Sequence, residues 1–226
     1  MDNTDLIIKL GIGIASGFIG WLLAQVTSLV KDWAKARKIK ALLLEELRDV
    51  DREMERVMTS SARDLQIYGA KGVGNSACIG VSNYIFSNYY KDALLSLNQN
   101  QRISYQLIHS LIRSLNEGLD SIRSLTTEIQ KHHQKNGTTE ETVVFGKEWG
   151  EMIKAEYINS AAIRWHVRYH IDNECNPDLS SMTEGHKNYL KFLAEVESEA
   201  NKLIKSGESI DRKKFEEIYS PSSFGN

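Results

Sequence analysis

The longest apolar run lies near the start of the chain: residues 10 to 30 carry no ionisable side chain, and ten of these 21 are Leu, Ile, Val or Phe. As a helix rising 1.5 Å per residue the run reaches roughly 31 Å, about one hydrocarbon thickness, so the pattern predicts a single transmembrane helix. Its ten large apolar residues favour insertion by about 0.3 to 0.6 kcal/mol each, against the weaker opposition of Ser16, Gln25, Thr27 and Ser28. A cleaved secretory signal would open on basic residues and close on small ones. This chain opens Met-Asp-Asn-Thr-Asp and its run ends directly in bases, so a retained anchor is expected.

Beyond the run the period becomes helical. Leu43, Leu47, Val50, Met54 and Val57 repeat at four and three residues, an apolar seam flanked by Glu45, Glu46, Arg48, Asp51, Arg52 and Arg56. Barely two heptads are clean, so the seam serves equally as a packing stalk or as a face docked on the protein's own domain. From Gly69 to Gly80 the period breaks in a glycine-rich segment. Lys71, Gly72, Gly74, Asn75 and Ser76 invite comparison with a phosphate cradle, although the order is not that of a P-loop. The alternative is a hinge whose glycines supply positive φ.

Three more helices are predicted. The first, between Asn100 and His133, presents Ile108, Leu111, Leu115, Ile122, Leu125 and Ile129 on one face. The second covers about residues 146 to 172, with Trp149, Ile153, Tyr157, Ala161, Trp165 and Tyr169 at every fourth position, more simply a core stripe than a cofactor box. The third begins at Ser181, with Glu184 completing a capping box, and closes at Gly207. A short helix around residues 212 to 219 follows, and residues 143 to 145 are the only β-like run. The fold class expected is therefore all-α, with residues 1–40 as membrane anchor plus basic juxtamembrane segment and residues 41–226 as a helical bundle.

Charge orients this arrangement. Lys31, Lys35, Arg37, Lys38 and Lys40 follow the run, while Asp2, Asp5 and Lys9 precede it, which places the large C-terminal part in the cytosol of a single-pass inner-membrane protein. The same bases suit anionic lipid headgroups. Past the run, with these five bases included, the chain carries 27 basic against 28 acidic residues, a near balance that offers no broad field for duplex nucleic acid. Two cysteines, Cys78 and Cys175, agree with a reducing compartment. Within the run, Gly13 and Gly17 form a small-xxx-small pair and Gly20 pairs with Ser16 on an adjacent face, so self-association and a homo-oligomer are expected.

The densest chemistry is the stretch from Arg164 to His170. Arg164 and Arg168 share one helix face, His166 and His170 another, with Trp165 and Tyr169 between them. Guanidinium pairs fork onto phosphate and aromatic planes stack on bases, so Arg164, Trp165, His166, Arg168 and His170, with Lys71, Asn75 and Ser76, are the candidate residues for a small anionic nucleotide. The bland alternative is that the arginines pair with their own helix's acids, such as Asp172 or Glu174. His166 and His170 have the spacing of two zinc ligands, but no further motif completes a site. His132 and His133 suit a helix end by the dipole. No nucleophile elbow, kinase signature, paired catalytic carboxylates or dinucleotide fingerprint occurs, so neither an enzyme activity nor a cofactor is expected.

The order of an uncharged span, a basic juxtamembrane helix, the stretch Tyr84-Ile85-Phe86-Ser87-Asn88-Tyr89-Tyr90 leading into Leu94-Leu95-Ser96-Leu97, and a long helix with Ser114-Leu115-Asn116-Glu117 resembles small membrane-anchored helical effectors of prokaryotic antiviral systems. In layout it is similar to the type III CRISPR membrane effectors that respond to cyclic oligoadenylate. The resemblance implies binding of a cyclic oligonucleotide and membrane disruption by an oligomer, without covalent chemistry. The alternative is a membrane-tethered scaffold that holds a protein partner in a helical groove.

Overall fold

A computed structural model describes residues 3–74 and 79–211, with side chains from residue 11 onward except Ile12. The chain is all-α. Helix α1 (Asn3–Gly69) is followed by α2 (Tyr84–Ala93), a 3-10 turn (Leu94–Ser96), α3 (Gln99–Asn136), α4 (Glu140–Asp172) and α5 (Glu184–Glu208). At 67 residues, α1 is roughly 100 Å long. It passes without interruption from the apolar run through the basic segment into the bundle.

The two parts of α1 differ in surroundings. Every residue with a described side chain from Gly11 to Lys35 is exposed, including Phe18, Trp21 and Leu23. This part of α1 is long and apolar enough to cross a membrane, and the bundle covers none of it. Burial begins at Ile39, and the predicted seam of Leu43, Leu47, Val50, Met54 and Val57 is wholly enclosed. The seam therefore docks on the protein's own domain rather than standing as a free stalk.

Two core clusters stack along α1. The first joins the seam to Val81, Ala93, Leu97, Tyr105, Ile108, Ile112, Leu115, Ile163 and Val167. The second joins Leu65 to Ile122, Ile129, Trp149, Ile153, Tyr157, Ala161, Val196 and Ala200. The aromatic stripe of α4 thus divides, with Trp149 to Ala161 in the core and Trp165 and Tyr169 half-buried at its edge. Trp149 anchors its indole by donating Nε1–H to Thr126 Oγ1 at 3.0 Å.

Helix ends correct several expectations. Helix α4 starts at Glu140, not near residue 146, because Thr139 caps it through the Thr142 amide while Glu140 and Glu141 suit the dipole of the first turn. Residues 143 to 145 are consequently helical, and Val143 and Val144 are exposed, with no strand among the described residues. Helix α5 starts at Glu184 instead of Ser181, because the hydroxyl of Thr183 takes the His186 amide. Helix α3 is capped by Asn98 and Gln101 in a reciprocal box. The short helix expected at residues 212 to 219 lies outside the described residues.

The glycine-rich segment also differs from expectation. Among its described residues the positive φ belongs to Lys71, at 60°, not to a glycine. Lys71 N–H donates to Tyr68 O and Gly72 N–H to Ile67 O, the paired bonds that close a helix with a left-handed residue. The neighbouring glycine, Gly69, instead permits close approach: a side chain there would strike the backbone of Ile204 on α5.

Candidate functional site

Arg164 and Arg168 project from α4 towards α1 and meet two acids placed at the same four-residue interval. Arg164 donates to Asp51 Oδ1 at 3.2 Å and to Glu55 Oε2 at 2.8 Å. Arg168 forks onto Asp51, 2.8 Å to Oδ1 and 3.2 Å to Oδ2. The arginines are thus paired within the molecule, but with α1 and not with Asp172 or Glu174. Partial burial pulls the Asp51 carboxyl up, yet the hydrogen bonds from Arg168 and Arg164 outweigh it and hold the group below its ordinary value. No local pattern links residues 51 and 168; the matching i, i+4 spacing on both helices is the one signal that could have paired them.

Beside these ion pairs lies a cavity of about 410 Å³ between α4, α5 and α1, lined by Arg164, Trp165, Arg168, Tyr169, Met58 and Phe192, among others. Trp165 and Tyr169 stack with ring centroids 5.0 Å apart and planes 8° from parallel. Tyr189 of α5 tilts against Trp165 at 4.9 Å. The cavity therefore combines an aromatic platform with two guanidinium groups. It also carries one acid, Asp172, on its rim.

His166 and His170 do not join this cavity. His170 is fully buried, with Nδ1 2.8 Å from Ser104 Oγ and its ring 4.3 Å from Tyr105. His166 is buried against Tyr189, with ring centroids 4.6 Å apart. Desolvation drives both imidazoles down to about 4, so they are neutral at neutral pH. The same holds for His109, lowered by burial to about 3, which stacks on Phe86 at 3.8 Å. Its 3.7 Å approach to Glu46 is therefore a contact with a neutral ring, not an ion pair. The Glu46 carboxylate instead accepts the amides of Ile85 and Phe86 and so caps α2 from α1.

Lys71 lies elsewhere, in a groove of about 680 Å³ at the far end of the bundle, where Tyr68, Val73, Ile129, His133, Val143 and Lys147 meet. Asn75 and Ser76 lie outside the described residues. The structure thus brings Arg164, Trp165 and Arg168 to one cavity and leaves Lys71 in another. Gly13, Gly17 and Gly20 are exposed with open space where side chains would be. His132 lies short of the last turn of α3 and meets side chains instead: Nε2 lies 3.0 Å from Glu141 Oε2 and Nδ1 3.2 Å from Thr142 Oγ1. Among the described residues no group of three or more His, Cys, Asp or Glu is placed to hold a metal ion.

Comparisons with protein-family models, with curated proteins and with solved structures find no match to this chain.

Proposed function

We propose that this protein is a membrane-anchored effector of prokaryotic antiviral defence, whose cytosolic bundle takes up a small anionic signal and whose oligomerised membrane helices then disrupt the inner membrane. The observation that carries this reading is that Arg164 and Arg168, the residues best suited to phosphate, are bonded to Asp51 and Glu55 on the same unbroken helix that holds the apolar run. A phosphate entering the cavity competes with those two carboxylates. Binding would therefore loosen α4 from α1 and pass directly to the membrane segment, with Trp165 and Tyr169 offering a face to a base. A cyclic oligonucleotide satisfies both demands, and the layout resembles effectors that respond to one. For the signal to act, it must bind the loosened arrangement more tightly than the paired one.

The alternative, a tethered scaffold, draws on the groove at the other end of the bundle, whose apolar walls and three basic side chains, Lys71, His133 and Lys147, suit an acidic amphipathic segment. One experiment separates the two. The full chain in lipid nanodiscs is melted with a panel of cyclic and linear oligoadenylates, and dye-loaded vesicles carrying it are assayed for leakage. A ligand at about 100 times its dissociation constant adds about 2.7 kcal/mol, a readable shift. A shift with leakage supports the effector; no shift with any nucleotide overturns it in favour of the scaffold.

A further inference from the structure

The direction of α2 follows from its two ends. At its start the Glu46 carboxylate accepts the amides of Ile85 at 2.6 Å and Phe86 at 2.9 Å, and near its end Asp92 accepts Lys35 Nζ at 2.8 Å. Helix α2 therefore descends along α1 from the level of Glu46 to that of Lys35, towards the apolar run. The 3-10 turn Leu94–Ser96 then reverses the chain. Helix α3 climbs back, since Asn116 on it exchanges hydrogen bonds with Val81 ahead of α2, 2.8 Å and 2.9 Å. The turn is thus the lowest corner of the α2–α3 hairpin, and Leu95 on it is wholly exposed, at 103%.

Lys35 stands five residues past Val30, roughly 7.5 Å along the helix axis. The polar layer of one leaflet is about 5 to 7.5 Å thick, half the difference between the whole bilayer and its hydrocarbon core. The ion pair consequently pins the corner at the outer edge of that layer. Asp92 is neutralised by Lys35, and Lys91 beside it suits anionic headgroups, although the loop after α4, bonded to Asn98 and Gln101, brings Glu174 to the same end of the bundle. Among the described residues nothing covers Leu95, and at that height the bilayer offers it an apolar surface.

We propose that the Leu94–Ser96 corner is a second membrane contact, with Leu95 inserted among the lipid headgroups so that the bundle is held at a set height and rotation on the surface. This rests on the reading of the apolar run as a membrane span. The test uses the full chain in phosphatidylcholine and phosphatidylglycerol vesicles, with Cys78 and Cys175 replaced by serine and an environment-sensitive fluorophore placed in turn by Leu95→Cys, Leu22→Cys and Leu190→Cys. Lipids carrying a nitroxide at the headgroup should quench the label at 95 at least twofold more than the label at 190, which is on an exposed face of α5. Quenching by acyl-chain nitroxides at 22, with headgroup quenching at 95 no greater than at 190, overturns the inference and leaves the span standing. Labels at 22 and 95 both free of quenching overturn the span and the inference together.

Discussion

Arg168 on α4 lays its guanidinium fork across both oxygens of Asp51 on α1, at 2.8 Å and 3.2 Å. Because Arg164 shares Asp51 and adds Glu55, two acids and two bases form one network between the helix that reaches the apolar run and the helix that lines the cavity. Charge reversal at either arginine should therefore weaken folding and, on the proposed function, the response to the anionic signal as well. Arg168 is more than half exposed, so screening keeps the loss near 1 to 2 kcal/mol in a denaturant melt of Arg168→Glu. Adding Asp51→Arg should recover part of that loss. Full wild-type stability in the single variant would show that the fork does not hold the helices together.

Glu156 offers a pH test. Its carboxyl is buried against Gly118, Oε2 lacks a partner, and desolvation pushes it up to about 7, outweighing the hydrogen bond with Asn159. The ordinary value is 4.5, so between about 4.5 and 7 the folded state keeps a proton that the unfolded state has lost. Stability from this group therefore falls as pH rises through that window and stays low above it. Glu156→Gln should match the parent at pH 4 and exceed it at pH 8 by roughly 1 to 3 kcal/mol. The buried histidines pull the opposite way below pH 6.5 but do so in both proteins, so the difference isolates Glu156. A variant equally stable at both pH values would refute the assignment.

Lys71 holds a left-handed backbone that glycine adopts without a Cβ penalty. Lys71→Gly should stabilise the chain by about 0.5 to 1 kcal/mol, partly offset by the greater freedom of glycine in the unfolded state. Its melting midpoint should rise or hold. A clear fall would mean that the lysine side chain makes a stabilising contact in the groove.

In the apolar run, Gly13 and Gly17 lie on one exposed face with open space beside them. If that face packs against a second copy, Gly13→Leu with Gly17→Leu should reduce crosslinking between copies in vesicles, because close helix approach needs small residues. Undiminished crosslinking would assign assembly to the bundle.

The apolar seam shows how far one-dimensional pattern reaches. Leu43, Leu47, Val50, Met54 and Val57 are identifiable as one face by spacing alone, and all five are enclosed. Helix boundaries are less legible, because a cap is set by a single hydroxyl: Thr139 starts α4 where Gly146 and two valines suggest otherwise. The glycine segment misleads in a similar way. Its glycines look like sources of positive φ, whereas Gly69 and Gly207 answer to helix crossing, each leaving room for the other helix's backbone.

By itself, then, the sequence determined the all-α class, the helix long and apolar enough to cross a membrane, the core stripes and the cluster of arginines and aromatic rings. These follow from residue spacing, which the 3.6-residue turn converts directly into faces. Only the tertiary structure decided that Arg164 and Arg168 meet Asp51 and Glu55, that His166 and His170 turn into the core, and that Glu46 caps α2. Each of those depends on the register and crossing of helices distant in sequence, and local periodicity specifies which side of a helix packs without specifying which residue waits on the other side.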